Sequence, residues 1–205
     1  MKNITVLVFI IFIIGLSKSF SQQFHGGITA GVSATQVAGD NLSGYNKAGI
    51  FFGGYVNLDI GKNSSLQMEL TYFQKGSRVN PDSTNNFQQY KFRANYVELP
   101  LFYKYKAGKF RVFAGPSLGF LIGHYEEANY QRLDNTPNYN KPANITLQLN
   151  LGIGFFITEK LGAELRTNNS VLNIRSRNVT GDVSRFGSFG QFHDALVISL
   201  FYRIR

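Results

Sequence analysis

Apolar side chains alternate with polar or small ones over much of the chain, connections alternate long and short, and the N-terminus reads as an export leader. Together these three observations predict an all-β fold: an eight-stranded antiparallel up-and-down transmembrane β-barrel with short periplasmic turns and long extracellular loops. From Ile145 to Ile157 every odd position is apolar, while Thr146, Gln148, Asn150, Gly152 and Gly154 fill most of the even ones. Successive side chains of a strand point to opposite faces, so this segment has one greasy face and one small or polar face. A tilted strand of about 9–11 residues with that pattern crosses a bilayer.

The leader comes first in the chain. Lys2 precedes an apolar run from Ile4 to Leu16, and Ser19 and Ser21 place small residues before Gln22. This is the form of a cleaved secretory signal over residues 1–21, which leaves 22–205 as the barrel domain and outer-membrane residence as its address. The apolar run falls short of the roughly 20 residues a spanning helix needs, and Lys18 closes it. With no Cys, lipid attachment, disulfides, thiol catalysis and Cys-based zinc sites are excluded. The formal charge of +9 would suit nucleic acid, but an exported protein rarely meets any, and anionic lipid head groups are the better match.

The strands follow in order. The first, 24–33, sets Phe24, Ile28 and Val32 against His25, Thr29 and Ser33; a Gly- and Asn-rich loop leads to the second, 47–60. Gly61-Lys62-Asn63 is a tight turn before the third, 64–76, where Leu66, Met68, Leu70 and Tyr72 oppose Gln67, Glu69, Thr71 and Lys75. The loop to about Gln89 carries Pro81-Asp82-Ser83, and the fourth strand then alternates Val97, Leu99, Leu101 and Tyr103 with Tyr96, Glu98 and Lys104. A second short turn, 106–109, opens the fifth strand, 110–122, with Arg111 on its polar face. The loop 124–143 precedes the sixth strand, 145–157. Thr158-Glu159-Lys160 turns into the seventh, 161–168, with Glu164 and Arg166 on one face. A final loop, 174–190, leads to the eighth strand, where Phe192, Leu196, Ile198, Leu200 and Tyr202 form the apolar face.

Face chemistry identifies the solvent. Glu69, Glu98, Arg111, Glu164 and Arg166 all lie opposite the apolar face, so the apolar band is outside and the charges line the lumen. A soluble lipocalin-like barrel, the competing fold, needs the reverse. Eight strands enclose just enough room for side chains, and buried charges must be paired. The expectation is a lumenal ionic cluster of those five residues that plugs the barrel rather than a pore.

Several blocks resemble a known family: G-G-I-T-A-G-V-S at 26–33, N-Y-V-E-L-P-L-F-Y-K-Y at 95–105, A-G-P-S-L-G-F at 114–120, L-N-L-G-I-G at 149–154 and L-V-I-S-L-F-Y-R-I at 196–204. The chain resembles the PorT-like outer-membrane β-barrel proteins of Bacteroidetes, under the heading of the outer membrane protein beta-barrel domain. The resemblance implies assembly by the general barrel-insertion machinery and structural roles for Glu98, Pro100, Gly115 and Pro116. The family's name-giver is linked to protein secretion, a role not carried over here. The chain continues past Tyr202 to Arg205, where many barrels end on an aromatic residue.

For chemistry the sequence offers little. His193 and Asp194 are adjacent, so on a strand they point apart. His124 with Glu126 or Glu127 is the one candidate acid–base pair, placed at the surface, and no metal-binding spacing or cofactor motif appears. The expectation is therefore a non-enzymatic structural or interaction protein with no catalytic residues, metal or cofactor. Its interaction candidates are the loop groups Arg132, Tyr139, Lys141, Arg175, Arg177 and Arg185, since Arg suits phosphate and Tyr suits recognition surfaces. Their expected partners are outer-membrane lipid and lipopolysaccharide, with an unidentified surface or periplasmic protein as the alternative. An accessory subunit of a secretion or uptake system, a lipid-processing enzyme and a soluble ligand-binding barrel stay open as other readings.

Overall fold

A computed structural model describes residues 24–42, 44–175 and 183–204. Eight strands form the wall: β1 (Phe24–Ala38), β2 (Lys47–Asp59), β3 (Ser64–Val79), β4 (Tyr90–Ala107), β5 (Phe110–Ala128), β6 (Ile145–Phe156), β7 (Leu161–Ser170) and β8 (Phe192–Arg203). Each pairs antiparallel with its neighbours in sequence, and β1 closes on β8 from Gly27↔Arg203 to Ala38↔Phe192. Closure leaves no open edge, the condition for strands in lipid. The leader assigned to residues 1–21 lies outside the described residues.

Residues on the even face of β1 and β8, among them Ile28, Val32, Ile198, Leu200 and Tyr202, are exposed, whereas Thr29, Ser33, Val197 and Phe201 between them are buried. The same division runs around the wall. On β5 the exposed apolar stretch from Phe110 to Ile122 rises about 40 Å along the strand, or roughly 30 Å when tilted by about 40°. At the short-turn end, Phe24, Tyr103, Tyr105, Phe110, Phe155 and Tyr202 stand outward and exposed, an aromatic girdle without Trp. The turns there are tight. Between β4 and β5, Gly108 takes a φ of 61°, which a β-carbon would strain.

Lumenal packing depends on rings folded over glycines. A β-carbon at Gly152 would meet the Phe113 ring at 2.2 Å, and one at Gly162 would meet Phe201 at 2.1 Å. Glycine on the inner face of one strand thus makes room for an aromatic from the next. Phe51, Phe73, Ala195 and Val197 form one apolar patch of the interior, and Tyr55, Phe156 and Phe201 another.

Several strands run further than the sequence indicated. Residues 34–38, 77–79, 90–95 and 124–128, assigned wholly or in part to loops, are strand. β3, β4 and β5 therefore stand above the apolar band as a tall wall, while β6 and β7 are short. The β4–β5 ladder is also irregular. Asn95 pairs with Gly123 but Tyr96 with Leu121, so Ile122 is an extra residue on β5. This bulge reverses the faces beyond it. Glu126 turns inward opposite Phe92, and Tyr125 turns outward opposite Arg93.

Candidate functional sites in the lumen and at the outer rim

The five charged residues expected in the lumen are all there and all buried. Arg166 on β7 grips Glu69 on β3 with two hydrogen bonds, at 2.9 and 3.1 Å, and donates a third to Glu164 at 2.9 Å. Glu164 also pairs with Lys104 at 2.9 Å and with Arg111 at 2.6 Å. Glu98 stands apart from this chain of contacts. Its partner is Lys75 at 2.5 Å, and Asn168 links the two by contacting both.

Sequence reasoning placed Lys75 and Lys104 on the inner face but left them out of the cluster. The signal was available: each lies on a strand beside a lumenal carboxylate. With them, three carboxylates meet four cations. The cations also lie over aromatic faces. Arg166 sits 5.0 Å from the centroids of both Phe51 and Phe102, and Lys104 sits 4.4 Å from Phe113. Ring quadrupoles and paired carboxylates together replace the water these charges lost.

Above the ionic layer the interior stays filled. Asn150 bonds Ser117 and Asn168, and Ser117 bonds Gln148. His193 is fully buried, stacked on Phe92 and edge-on to Tyr96. Asp194 points the other way, as alternation requires, so the two form no dyad. His124 is corrected: beyond the bulge it turns inward and stacks on Tyr139, rather than forming a surface pair with Glu126 or Glu127.

The outer mouth is capped by a second ionic group. Glu126 on β5 accepts hydrogen bonds from Tyr90 at 2.5 Å and Tyr139 at 2.7 Å, and is clasped by Arg175. Arg175 donates to the Tyr139 hydroxyl at 2.7 Å and lies 4.5 Å over Phe92. It is held there by its backbone, which bridges to Gln191. Arg175 and Tyr139 were expected to face outward for partners; Arg175 is instead 7% exposed and both serve to close the barrel. Burial and the Glu126 hydrogen bond raise the Tyr139 hydroxyl above its ordinary pKa.

Other loop candidates scatter. Arg132 is exposed and bound to Asp134 at 2.6 Å, a hydrogen bond that holds the Asp134 carboxyl below its usual range. Lys141 is exposed, and Arg177 lies outside the described residues. Arg185 makes two bonds of 2.6 Å to Asp194. It lies on a small hairpin, Val183–Arg185 with Ser188–Gly190, folded against the outside of the wall. That hairpin buries Phe192, which the alternation had assigned to lipid.

Outside the tall wall, above the apolar band, a basic surface appears that is built mainly on strands. Arg78 on β3 pairs in register with Lys91 on β4, and Arg93 follows two residues along the same outward face. Arg93 lies 5.5 Å, Lys91 5.7 Å and Arg132 5.0 Å from the Tyr125 ring. Glu127, opposite Lys91, and Asp134, paired with Arg132, are carboxylates of this face. Sequence reasoning missed the surface because it treated Arg78 and Lys91 as loop or loop-edge residues. Among the described residues, no helix is long and apolar enough to cross a membrane, and no group of three or more acidic, His or Cys side chains is placed to hold a metal ion.

Solved structures share this architecture at low sequence identity. Neisserial surface protein A aligns over 87% of this chain and 97% of its own, with 10% identity and a TM-score of 0.56. Ail, the attachment invasion locus protein of Yersinia pestis, solved in complex with the heparin analogue sucrose octasulfate, aligns over 89% of this chain and 99% of its own. Its identity is also 10%, and its TM-score 0.50. No curated protein matches the sequence. The family described as outer membrane protein beta-barrel domain matches residues 20–175, which takes in β1 to β7 and the capping Arg175. The chain belongs to the outer membrane protein beta-barrel domain family.

Proposed function

We propose that this is a non-enzymatic outer-membrane barrel, freed of residues 1–21 on export, whose tall wall binds the phosphates of neighbouring lipopolysaccharide. The observation that carries the reading is the outward surface of Arg78, Lys91 and Arg93, seated just above the apolar band where phosphorylated head groups lie. Like charges facing each other across a ladder are unfavourable unless a counter-ion offsets them, and Arg78 faces Lys91 directly. Glu127, on the other side of Lys91, offsets one of the three cations, which leaves net positive charge for a phosphate. A guanidinium fork suits a phosphate in two-point contact. Arg132, over the same Tyr125 ring, extends the basic surface into the loop above. The filled lumen supports a structural rather than a conducting role, and the Y-V-E-L-P-L block at 96–101 supports placement in the PorT-like branch, inserted by the general barrel-assembly machinery.

The test is lipopolysaccharide binding by wild type and by the triple variant Arg78→Gln, Lys91→Gln, Arg93→Gln, both folded in a phosphate-free detergent. Three lost phosphate contacts should weaken binding by at least about tenfold. Lipopolysaccharide stripped of phosphate should bind wild type as weakly as the intact form binds the variant. Equal affinity of wild type and variant for the intact form would overturn the proposal.

A further inference from the structure

At the opposite end the lumen opens into a recess of about 150 Å³ between the short turns. Lys62, Lys104, Lys106, Arg111 and Arg203 line it, and Asp59 is the one carboxylate among its described lining residues. Asp59 is already engaged, accepting from Asn57 at 2.9 Å and contacting His25 at 2.9 Å. Glu164 lies deeper and is shared by Lys104, Arg111 and Arg166. Glu159 stands on the neighbouring turn, beside a second, more open recess.

Three cations crowd one ring. Lys106, Arg111 and Arg203 lie 4.9, 5.0 and 5.8 Å from the centroid of Phe156. Lys106 and Arg111 are also direct partners across the β4–β5 ladder, where like charges repel. Arg111 is 7% exposed, yet its Nε has no hydrogen-bond partner. A buried donor left unpaired is costly, and more so when it is charged. The surplus positive charge and the open space share the same recess, and the unpaired donor is buried in its wall.

We propose that this periplasmic recess is an oxyanion site, built to take one phosphate-sized group between Arg111, Lys106 and Arg203. The volume has room for a tetrahedral oxyanion with a little water. Such a group is either a free anion or the head group of an inner-leaflet phospholipid that reaches over the rim.

The experiment uses the full chain extracted from outer membranes into a phosphate-free detergent, with phosphorus NMR and calorimetric titration as readouts. Inorganic phosphate and a short-chain phosphatidylglycerol are titrated separately into wild type, Lys106→Gln, Arg203→Gln and, as a control outside the recess, Lys160→Gln. The Lys106, Arg203 and Lys160 side chains are partly or fully exposed, and a heat-shifted gel band checks that each variant has folded. Saturable phosphate binding that weakens by about tenfold in Lys106→Gln and Arg203→Gln but not in Lys160→Gln supports the site with a free anion. Binding of the lipid alone, with the same dependence, supports it with a head group. Absence of saturable binding by either probe overturns it, as does binding indifferent to Lys106 and Arg203 or equally sensitive to Lys160.

Discussion

Arg166 ties several parts of the interior together. It is buried, holds two carboxylates at once and lies over three phenylalanine rings. Arg166→Met would leave Glu69 without its cation and Glu164 with one fewer. Removing one partner of a buried pair costs about 3–5 kcal/mol, because the remaining charge stays desolvated. Adding Glu69→Met should recover part of that loss, since a buried pair replaced by apolar groups is close to neutral. Denaturant unfolding in detergent, followed by far-ultraviolet circular dichroism, measures both. A double variant less stable than Arg166→Met would mean that Glu69 has other essential partners. At this scale the sequence was informative for a plain reason. Glu69, Glu98, Arg111, Glu164 and Arg166 lie within regular strands, where parity alone decides the face. Arg175 offered no such signal, because the bridge from its backbone to Gln191 turns it inward, and loop composition does not reveal that bridge.

Among the elements, adjacent strands are fitted to each other by size as much as by hydrogen bonds. β6 leaves Gly152 bare so that Phe113 of β5 can lie across it. Gly152→Val would drive its side chain into that ring and should cost about 1–3 kcal/mol by overpacking, seen as a lower unfolding midpoint and a weaker heat-shifted band. Gly54→Ala is the matched control. On β2, a β-carbon at Gly54 would come no closer than 3.7 Å, to the carbonyl oxygen of Gly27. If the two variants were equally stable, ring-over-glycine packing would be irrelevant to the wall. Strand ends were the least legible part of the sequence, and the physics explains it. Alternation persists only where one face meets lipid. Residues 34–38, 90–95 and 124–128 rise beyond the band with water outside, so their outer face includes Gln36, Lys91, Arg93 and Glu127 and resembles a loop.

Taken whole, the molecule is a filled cylinder stopped at two heights. Glu69, Glu164 and Arg166 lock the middle, and Glu126 with Arg175 and Tyr139 closes the outer mouth. Ions would have to break paired charges at both levels to pass. Reconstituted in planar bilayers, the wild-type protein should therefore show no steady open-channel current. A large and lasting conductance would mean that the plug rearranges in the membrane, and Arg111→Ala would then be the variant to compare.

The bulge at Ile122 bears on every homologue to be aligned with this chain. Side-chain direction along a strand behaves like a two-letter reading frame, and one supernumerary residue moves everything downstream into the other phase. Before Ile122, β5 shows lipid its even-numbered residues; after it, those same parities belong to the lumen. The capping carboxylate of Glu126 and the outward ring of Tyr125 both rest on that single step in phase. A relative carrying the same residues but lacking the step would display the opposite set, so likeness of sequence across this segment is no guide to likeness of surface unless the spacing matches too.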